Sequence, residues 1–333
     1  MNFAPTRPPA DATYAALDLG TNNCRMLIAR PLPRGFRVID AYSRITRLGE
    51  GLAVAGRLSE EAMARTIDAL RACADKMARH RVGRYRLVAT EACRRAANCM
   101  DFAERVAEET GLVLDIIAAH EEAALALDGC ASLLEPDVPW ALVFDIGGGS
   151  TELLWVDCGE DGHRIEGVQS LPVGVVTLAE QHAAALHEPA GYERVVADLA
   201  AAIAPFEQRH AIAERLPQGE VQMLGTSGTV TTLGALHLDL ERYERHMVDG
   251  LDLDFGDIAT VTRRLAAMSR DQRARHPCIG PERADLVVAG CAILEAVCRQ
   301  WPLGRLRVAD RGVREGVLHS LMRQDTLALG GAA

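Results

Sequence analysis

One pattern occurs twice in the chain and limits its possible folds more than any other feature. An apolar segment runs into Asp-x-Gly and small polar residues, and a second apolar segment follows at once, at 14–29 and again at 140–156. Short apolar segments on either side of a glycine turn are typical of a β-hairpin. The repeat predicts two lobes of the same topology, each with an Asp and a glycine-rich turn at the edge of a shared cleft.

The segments between the hairpins alternate between short strands and amphipathic helices. Strands are predicted at 86–89 and 112–117, and helices at 59–81 and 101–110, the last one stopping before a glycine. This alternation predicts a mixed α/β fold.

Two prolines and acidic residues interrupt the apolar pattern at 134–139, which indicates a boundary between lobes. We therefore expect lobe I at 12–136 and lobe II at 137–313. A final helix at about 314–330 is expected to pack back on lobe I.

Composition excludes several classes of function. The net charge of −10 argues against a general attraction to nucleic acid or to an anionic membrane. No apolar run is long enough for a membrane span, and residues 1–11 are typical of a loose tail rather than a secretory signal. Nine cysteines without a Cys-x-x-Cys pair favour a reducing compartment, so we expect a soluble, cytoplasmic protein. We also expect a homodimer.

Phosphate binding must rely on backbone and arginine rather than lysine. Lys76 is the single lysine, which excludes a phosphate loop of the G-x-x-x-x-G-K-[ST] type. The glycines at 147–149 resemble a dinucleotide-binding turn, but that site needs a helix next, and the following residues favour a strand. A hairpin with bare N–H groups close to phosphate is the preferred interpretation, and an ordinary glycine turn is the alternative.

A third small-residue turn lies at 225–228, between an apolar segment and a predicted helix. Backbone donors and hydroxyls at a helix start suit an anion, although a plain strand-to-helix loop fits equally well.

Carboxylates in these segments could bind a metal ion or activate water. Asp18 and Asp145 each end an apolar strand, where a charge needs a cation or donors to offset burial, and a shared Mg²⁺ would supply it. The alternative is that each caps its turn. Glu121 and Glu122 precede a predicted helix at 123–130 and could position water, or could serve only as helix-start charges. Arg94 could offer a donor fork to phosphate or be a surface charge.

These segments together resemble the exopolyphosphatase and guanosine pentaphosphate phosphohydrolase family, Ppx/GppA, and the match spans nearly the whole chain. In chain order, the segments that match are Asp18-Leu-Gly-Thr-Asn-Asn-Cys-Arg25, Thr90-Glu-Ala-Cys-Arg94-Arg-Ala-Ala-Asn98, His120-Glu-Glu-Ala, Asp145-Ile-Gly-Gly-Gly-Ser-Thr-Glu152, Ser170-Leu-Pro-Val-Gly174, Gly225-Thr-Ser-Gly-Thr229, Arg283-Ala-Asp285 and Asp310-Arg-Gly-Val-Arg-Glu-Gly316. The chain departs from the family pattern at several positions: Ser is common in the family at Thr21 and beside Cys24, Glu91 replaces a Ser or Thr, and Ala124 replaces an Arg.

The resemblance implies two actin-like, ribonuclease H-like lobes of the acetate and sugar kinase, heat-shock ATPase and actin superfamily. It implies that Glu122 is the catalytic base, that Asp145 places metal or water, and that Arg94 acts on the terminal phosphates. Asp145, Asp18 and Glu152 are the implied ligands of Mg²⁺, with Mn²⁺ as the alternative ion. The implied phosphate-binding residues are Thr21, Asn22, Arg25, Gly147, Gly148, Gly149, Ser150, Thr151, Gly225, Thr226, Ser227 and Gly228.

The leading functional hypothesis is a phosphoanhydride hydrolase that removes the terminal phosphate of inorganic polyphosphate. The alternative substrate is guanosine pentaphosphate, whose hydrolysis uses the same chemistry on a molecule that carries a nucleoside. Guanosine tetraphosphate is an alternative bound partner. An ATP-dependent kinase and a catalytically weak polyphosphate or alarmone sensor are the remaining alternatives.

Overall fold

The computed structural model describes residues 12–159 and 162–330, so the predicted tail at 1–11 lies outside the described residues. The chain divides into two compact units. Unit 1 comprises the residues up to Gly129 together with those from Gly312 on, and unit 2 is Cys130–Arg311. The chain thus passes between the units at 129/130 and 311/312, and the sequence-based boundaries lay at 136/137 and 313/314.

Within the described ranges the strands are β1 (Tyr14–Leu19), β2 (Asn23–Pro31), β3 (Phe36–Ile45), β4 (Arg84–Ala89), β5 (Leu114–Ile116), β6 (Trp140–Ile146), β7 (Thr151–Asp157), β8 (Arg164–Leu171), β9 (Val221–Thr226), β10 (Asp252–Asp254) and β11 (Arg305–Ala309).

The α-helices in the same ranges are α1 (Leu52–Ala55), α2 (Glu60–Arg79), α3 (Glu91–Arg95), α4 (Cys99–Thr110), α5 (Ala119–Cys130), α6 (Val175–His182), α7 (Pro189–His210), α8 (Gly228–His237), α9 (Arg245–Val248), α10 (Phe255–Ala267), α11 (Arg270–Arg275), α12 (Val287–Gln300) and α13 (Val313–Gly330). Short 3₁₀ helices lie at Ala131–Leu133, Ala185–His187 and Ile212–Gln218.

Unit 1 is built on a five-stranded mixed sheet with the order β3-β2-β1-β4-β5. β1, β2 and β3 form an antiparallel meander, while β4 and β5 continue the sheet parallel to β1. Parallel neighbours need crossover connections, and α2 and the pair α3–α4 supply them. Apolar clusters cover both faces of the sheet.

Unit 2 repeats this plan in a six-stranded sheet with the order β10-β11-β9-β6-β7-β8. β6, β7 and β8 form the meander, β9 and β11 run parallel to β6, and β10 adds an antiparallel edge. The two predicted hairpins and their shared topology are therefore confirmed, as is the predicted class of two α/β lobes.

In unit 1, α5 and α13 approach each other backbone to backbone. A Cβ added at Gly129 would overlap the Gly312 carbonyl, and one added at Gly316 would overlap the Leu125 carbonyl. α13 also packs over β1 through Val317, Leu318 and Leu321. Glycine is required here because any larger residue would push the two helices apart.

None of the helices in the described part of the chain combines the length and the apolar character that a bilayer span requires.

We predict that Gly316→Ala destabilises unit 1 by about 1–3 kcal/mol, the usual cost of overpacking. If the added Cβ did not meet Leu125, the same substitution would instead stabilise the helix by up to about 1 kcal/mol, because alanine favours a helix more than glycine does. Urea unfolding measures the difference. Gly256→Ala is the matched control, because Gly256 lies in α10 with no atom within 4 Å of the added Cβ. Equal effects of the two substitutions would contradict the packing argument.

Candidate functional site

The turns of the two hairpins have the same local geometry. In the first loop, residues 20–23, the Gly20 N–H donates to the Asn23 carbonyl at 2.9 Å. In the second loop, residues 147–150, the Gly147 N–H donates to the Ser150 carbonyl, also at 2.9 Å. Each loop follows directly on a strand that carries an Asp at its next-to-last position, Asp18 in β1 and Asp145 in β6.

Both loops are held through their carbonyl oxygens. The Gly147 and Gly148 carbonyls accept from Val175 and Val176, the first N–H groups of α6, at 3.0 and 2.8 Å. A carbonyl oxygen repels a phosphate, so this anchoring turns the repulsive side of the second loop toward α6. Gly174 permits the contact, since a Cβ there would overlap the backbone of Gly147 and Gly148.

The first loop is anchored in the same way by the segment after β3. The buried residues Thr21 and Asn22 accept hydrogen bonds through their carbonyls from Gly49 and from Thr46 and Arg47, at 2.9 to 3.0 Å. A Cβ at Gly49 would overlap the Thr21 side chain. In each meander, a glycine after the third strand thus allows the close contact that holds the loop in place, Gly49 in unit 1 and Gly174 in unit 2.

Four polar side chains form a row across the sheet of unit 2. Strand register places Asp145 of β6 opposite Glu152 of β7 on one side and opposite Thr226 of β9 on the other. Glu152 in turn lies opposite Ser170 of β8, whose hydroxyl donates to the Glu152 carboxylate at 3.0 Å. Register partners share one face of a sheet, so two carboxylates stand side by side. Glu152 is almost fully buried, at 1% exposure.

The equivalent row in unit 1 carries the opposite charge at one position. Asp18 lies opposite Arg25, where unit 2 has Glu152, and Arg25 lies opposite Ser43. Burial raises the pKa of Asp18, while the charges of Arg25 and Arg314 oppose the rise. Asp18 therefore already has cationic neighbours from its own unit.

Glu122 lies in a buried cluster of charges in unit 1. α5 begins about one turn earlier than predicted, which puts Glu122 in its first turn with the N–H bonded to the Ala118 carbonyl at 3.0 Å. The Arg94 Nη1 donates to Glu122 Oε2 at 2.7 Å and to the Ile117 carbonyl at 3.0 Å. The Glu122 side chain is 12% exposed. Two of the predicted catalytic residues are therefore in direct contact.

Arg94 also contacts Glu91, the residue that departs from the family pattern. Its Nε and Nη2 donate to Glu91 Oε2 at 3.2 and 2.9 Å. Burial opposes the guanidinium charge, but the carboxylates of Glu122 and Glu91 outweigh it, and the pKa of Arg94 is raised. With four hydrogen bonds made inside unit 1, Arg94 acts here as the group that orients Glu122.

Glu121, the other predicted base, has a different environment. Its side chain is 40% exposed and pairs with Arg86 on the surface, at 2.5 Å. The burial and the ion pair of Glu122 distinguish two residues that the local sequence pattern left equivalent and that only the family resemblance separated.

The third loop, residues 225–228, has mainly structural contacts. Gly225 lies inside β9, where a Cβ would overlap the Phe144 ring. The Thr226 hydroxyl donates to the Arg311 carbonyl at 2.6 Å, and the Ser227 hydroxyl caps α8 by accepting from the N–H groups of Thr229 and Val230. The Thr151 hydroxyl likewise donates to the Val173 carbonyl. These hydroxyls thus hold the loops together.

Sequence reasoning did not assign roles to Glu91, Ser170 or Glu315. Glu315 is buried and accepts a hydrogen bond from the Gly312 N–H at 3.0 Å, and so it caps the start of α13. The spacing of three residues between the two is the one signal that could have revealed this cap. The partners of Glu91 and Ser170 depend on tertiary structure.

A divalent cation is the remaining feature of the predicted site. Among the described residues, no group of three or more His, Cys, Asp or Glu side chains is arranged to hold a metal ion. Mg²⁺, however, usually takes one or two carboxylates and completes its coordination with water and substrate phosphates. The adjacent carboxylates of Asp145 and Glu152 fit that requirement.

Comparisons with known proteins agree with the repeated topology. The model of the Ppx/GppA phosphatase family matches residues 27–325. Exopolyphosphatase 2 of Mycobacterium tuberculosis is 32% identical over 322 residues, which cover 92% of this chain and 98% of that protein.

Solved structures give the same result. The crystal structure of the Ppx/GppA family member of Aquifex aeolicus is 30% identical with a TM-score of 0.75, and the match covers 94% of this chain and 98% of that one. An exopolyphosphatase from Cytophaga hutchinsonii shares the fold at 22% identity, with a TM-score of 0.83 and the same coverage. The chain therefore belongs to the Ppx/GppA phosphatase family, and it is a phosphoanhydride hydrolase.

Proposed function

We propose that the chain is an exopolyphosphatase, which removes the terminal phosphate of inorganic polyphosphate by attack of a water molecule that Glu122 activates. The observation that supports this most directly is the buried ion pair of Glu122 with Arg94 in the first turn of α5. Relatives that cover nearly the whole chain are described as exopolyphosphatases.

The surroundings of Glu122 suit a general base. A carboxylate that accepts a proton from water must be ionised and fixed in direction. The Arg94 guanidinium favours the ionised form and holds one oxygen, Oε2, in place. Glu91 and the Ile117 carbonyl hold the guanidinium in turn, so the direction of the Glu122 carboxylate is determined by α3, α5 and the end of β5.

The second loop supports phosphate binding. Its carbonyl oxygens are engaged by the start of α6, and its glycines carry no side chain that would keep a phosphate away. The first loop is built alike, and Arg25 lies beside it on β2. Backbone amides and a guanidinium would neutralise the charge of the transferred phosphoryl group, which is the main requirement in this chemistry.

We propose that Asp145 and Glu152 hold the metal ion, Mg²⁺ or Mn²⁺, which when bound would neutralise phosphate oxygens. Strand register sets these two carboxylates side by side, whereas Asp18 has the cationic side chains of Arg25 and Arg314 beside it. Asp18 is therefore the weaker of the three proposed ligands. A cytoplasmic location and a homodimer stay predictions.

The substrate is tested by comparing initial rates of phosphate release from long polyphosphate, short polyphosphate and guanosine pentaphosphate. We expect the highest kcat/KM for polyphosphate. Hydrolysis of the guanosine nucleotide alone would contradict the proposal in favour of the nucleotide. Consumption of ATP only with an acceptor would indicate a kinase, and tight binding without release would indicate a sensor.

Glu122→Gln should lower kcat for polyphosphate by about 10²–10⁴-fold, the usual contribution of a general base. The amide keeps the size of the side chain but cannot take the proton. Glu121→Gln is the matched control, because it changes the neighbouring carboxylate on the surface, and it should keep near-normal turnover. A Glu122→Gln protein with more than a tenth of the normal rate would exclude this role.

Removal of divalent cations with EDTA should abolish phosphate release, and Mg²⁺ or Mn²⁺ should restore it.

Asp145→Asn should raise the metal concentration needed for half-maximal rate by at least about tenfold, since loss of one carboxylate weakens a site with few protein ligands. Calorimetric titration with Mn²⁺ provides a readout independent of turnover. The exposed Asp137→Asn serves as control, and full activity in EDTA would rule the metal out.

A further inference from the structure

Glu91 occupies one edge of the Arg94 guanidinium. Arg94 Nε and Nη2 both donate to Glu91 Oε2, at 3.2 and 2.9 Å. Through such an edge an arginine makes two parallel hydrogen bonds to a carboxylate or to a phosphate. In this chain a carboxylate of the protein itself already fills that edge.

The remaining side of the guanidinium is engaged as well. Arg94 Nη1 donates to Glu122 Oε2 at 2.7 Å and to the Ile117 carbonyl at 3.0 Å. A guanidinium carries five N–H groups. The four hydrogen bonds to Glu91, Glu122 and Ile117 leave at most one of these groups for a substrate. Arg94 therefore contacts the proposed base and has little capacity left to bind phosphate.

The pair of Glu91 with Arg94 is contained in one short helix. Glu91 is the first residue of α3 and Arg94 follows three residues later, so both side chains lie on the same face. The Glu91 side chain is 13% exposed, and Arg95 Nε lies 3.9 Å from its second oxygen, Oε1. Each oxygen of Glu91 thus has a cationic neighbour, which holds the carboxylate against Arg94.

The residue type at position 91 determines how much of Arg94 is available. The family pattern has a Ser or Thr where this chain has Glu91. A hydroxyl carries no charge, and it ends two atoms closer to the backbone than the carboxylate oxygens of a glutamate. Carboxylate and phosphate bind to the same planar fork of an arginine, so they compete for Nε and Nη2 of Arg94.

We propose that Glu91 is a positioning residue, which keeps Arg94 on Glu122 and away from the terminal phosphate. Binding of that phosphate then depends on the backbone N–H groups of the first and second loops, while Arg94 fixes the direction of the base. Inorganic phosphate, the product, binds more weakly than it would to a protein whose Arg94 is available. This inference rests on the proposed function, in which Glu122 acts on the terminal phosphate.

Glu91→Thr tests the proposal, because it restores the family residue type and removes the acceptor of two hydrogen bonds. We expect the KM for long polyphosphate and the inhibition constant of inorganic phosphate to fall by about 3-fold to 10-fold, since Arg94 gains a charged hydrogen bond to phosphate. kcat should also fall, by about 3-fold to 10-fold, because the direction of Glu122 is less fixed. Initial rates over a series of polyphosphate and phosphate concentrations measure all three constants.

A residue that only supported the fold would lower kcat without tightening the binding of phosphate. An unchanged or higher KM and inhibition constant in Glu91→Thr would therefore overturn the proposal. Glu91→Ser makes the same measurement with the other residue of the family pattern if the threonine variant does not fold.

Two controls separate the release of Arg94 from the loss of a negative charge. Glu91→Gln removes the charge but keeps an oxygen within reach of Arg94, so both constants should stay within about twofold of those of the unaltered protein. In an Arg94→Ala protein, adding Glu91→Thr should leave both constants unchanged, because no guanidinium is present to be released. Equal effects of Glu91→Gln and Glu91→Thr would contradict the proposal, as would tighter phosphate binding by the double variant than by Arg94→Ala alone.

Calorimetric titration with inorganic phosphate keeps this proposal distinct from the proposed function. An unaltered protein that releases no phosphate from polyphosphate would count against the proposed function. The titration does not depend on turnover and would still decide the role of Glu91. Tighter binding of phosphate by Glu91→Thr than by the unaltered protein is the expected result, and equal affinity would exclude the role.

Discussion

The ion pair between Arg94 and Glu122 is the interaction on which the rest of the proposed site depends. An ionised carboxylate with little exposure is stable only with a charged partner or several donors. Here the partner is Arg94 of α3, and its guanidinium is itself held by Glu91 and by the Ile117 carbonyl after β5. Removing Arg94 would take away the guanidinium that offsets the Glu122 charge, whereas without Glu122 the Arg94 side chain would still pair with Glu91.

The two units use one topology for different chemistry. Register places Arg25 beside Asp18 in unit 1 and Glu152 beside Asp145 in unit 2. In the first arrangement a guanidinium offsets part of the charge of the Asp, whereas in the second two carboxylates stand together, where we propose the metal ion. The two rows thus differ in the charge of one equivalent strand position, Arg25 in unit 1 and Glu152 in unit 2.

The parts of the fold that depend on local pattern could be predicted from the sequence. Alternation around the glycine turns predicts both hairpins, and a hairpin centred on Gly148 and Gly149 already implies that Asp145 faces Glu152. The contacts of Arg94 with Glu91 and of Ser170 with Glu152 could not be predicted, because they depend on how separate elements pack. The hydroxyls of Thr151, Thr226 and Ser227 each form a hydrogen bond with a backbone group that the sequence did not predict, and their role as phosphate ligands stays a prediction.

The backbone contact of α5 with α13 also affects the order in which the protein can fold. Glu122 stands on α5, yet the helix that packs against α5 through Gly316 is made after all of unit 2. Domains tend to fold during synthesis as soon as their residues have emerged. Unit 2 is continuous and can fold at that stage, while the helix that carries Glu122 must wait for α13 to leave the ribosome. A nascent chain would therefore gain its second loop before its base is in place.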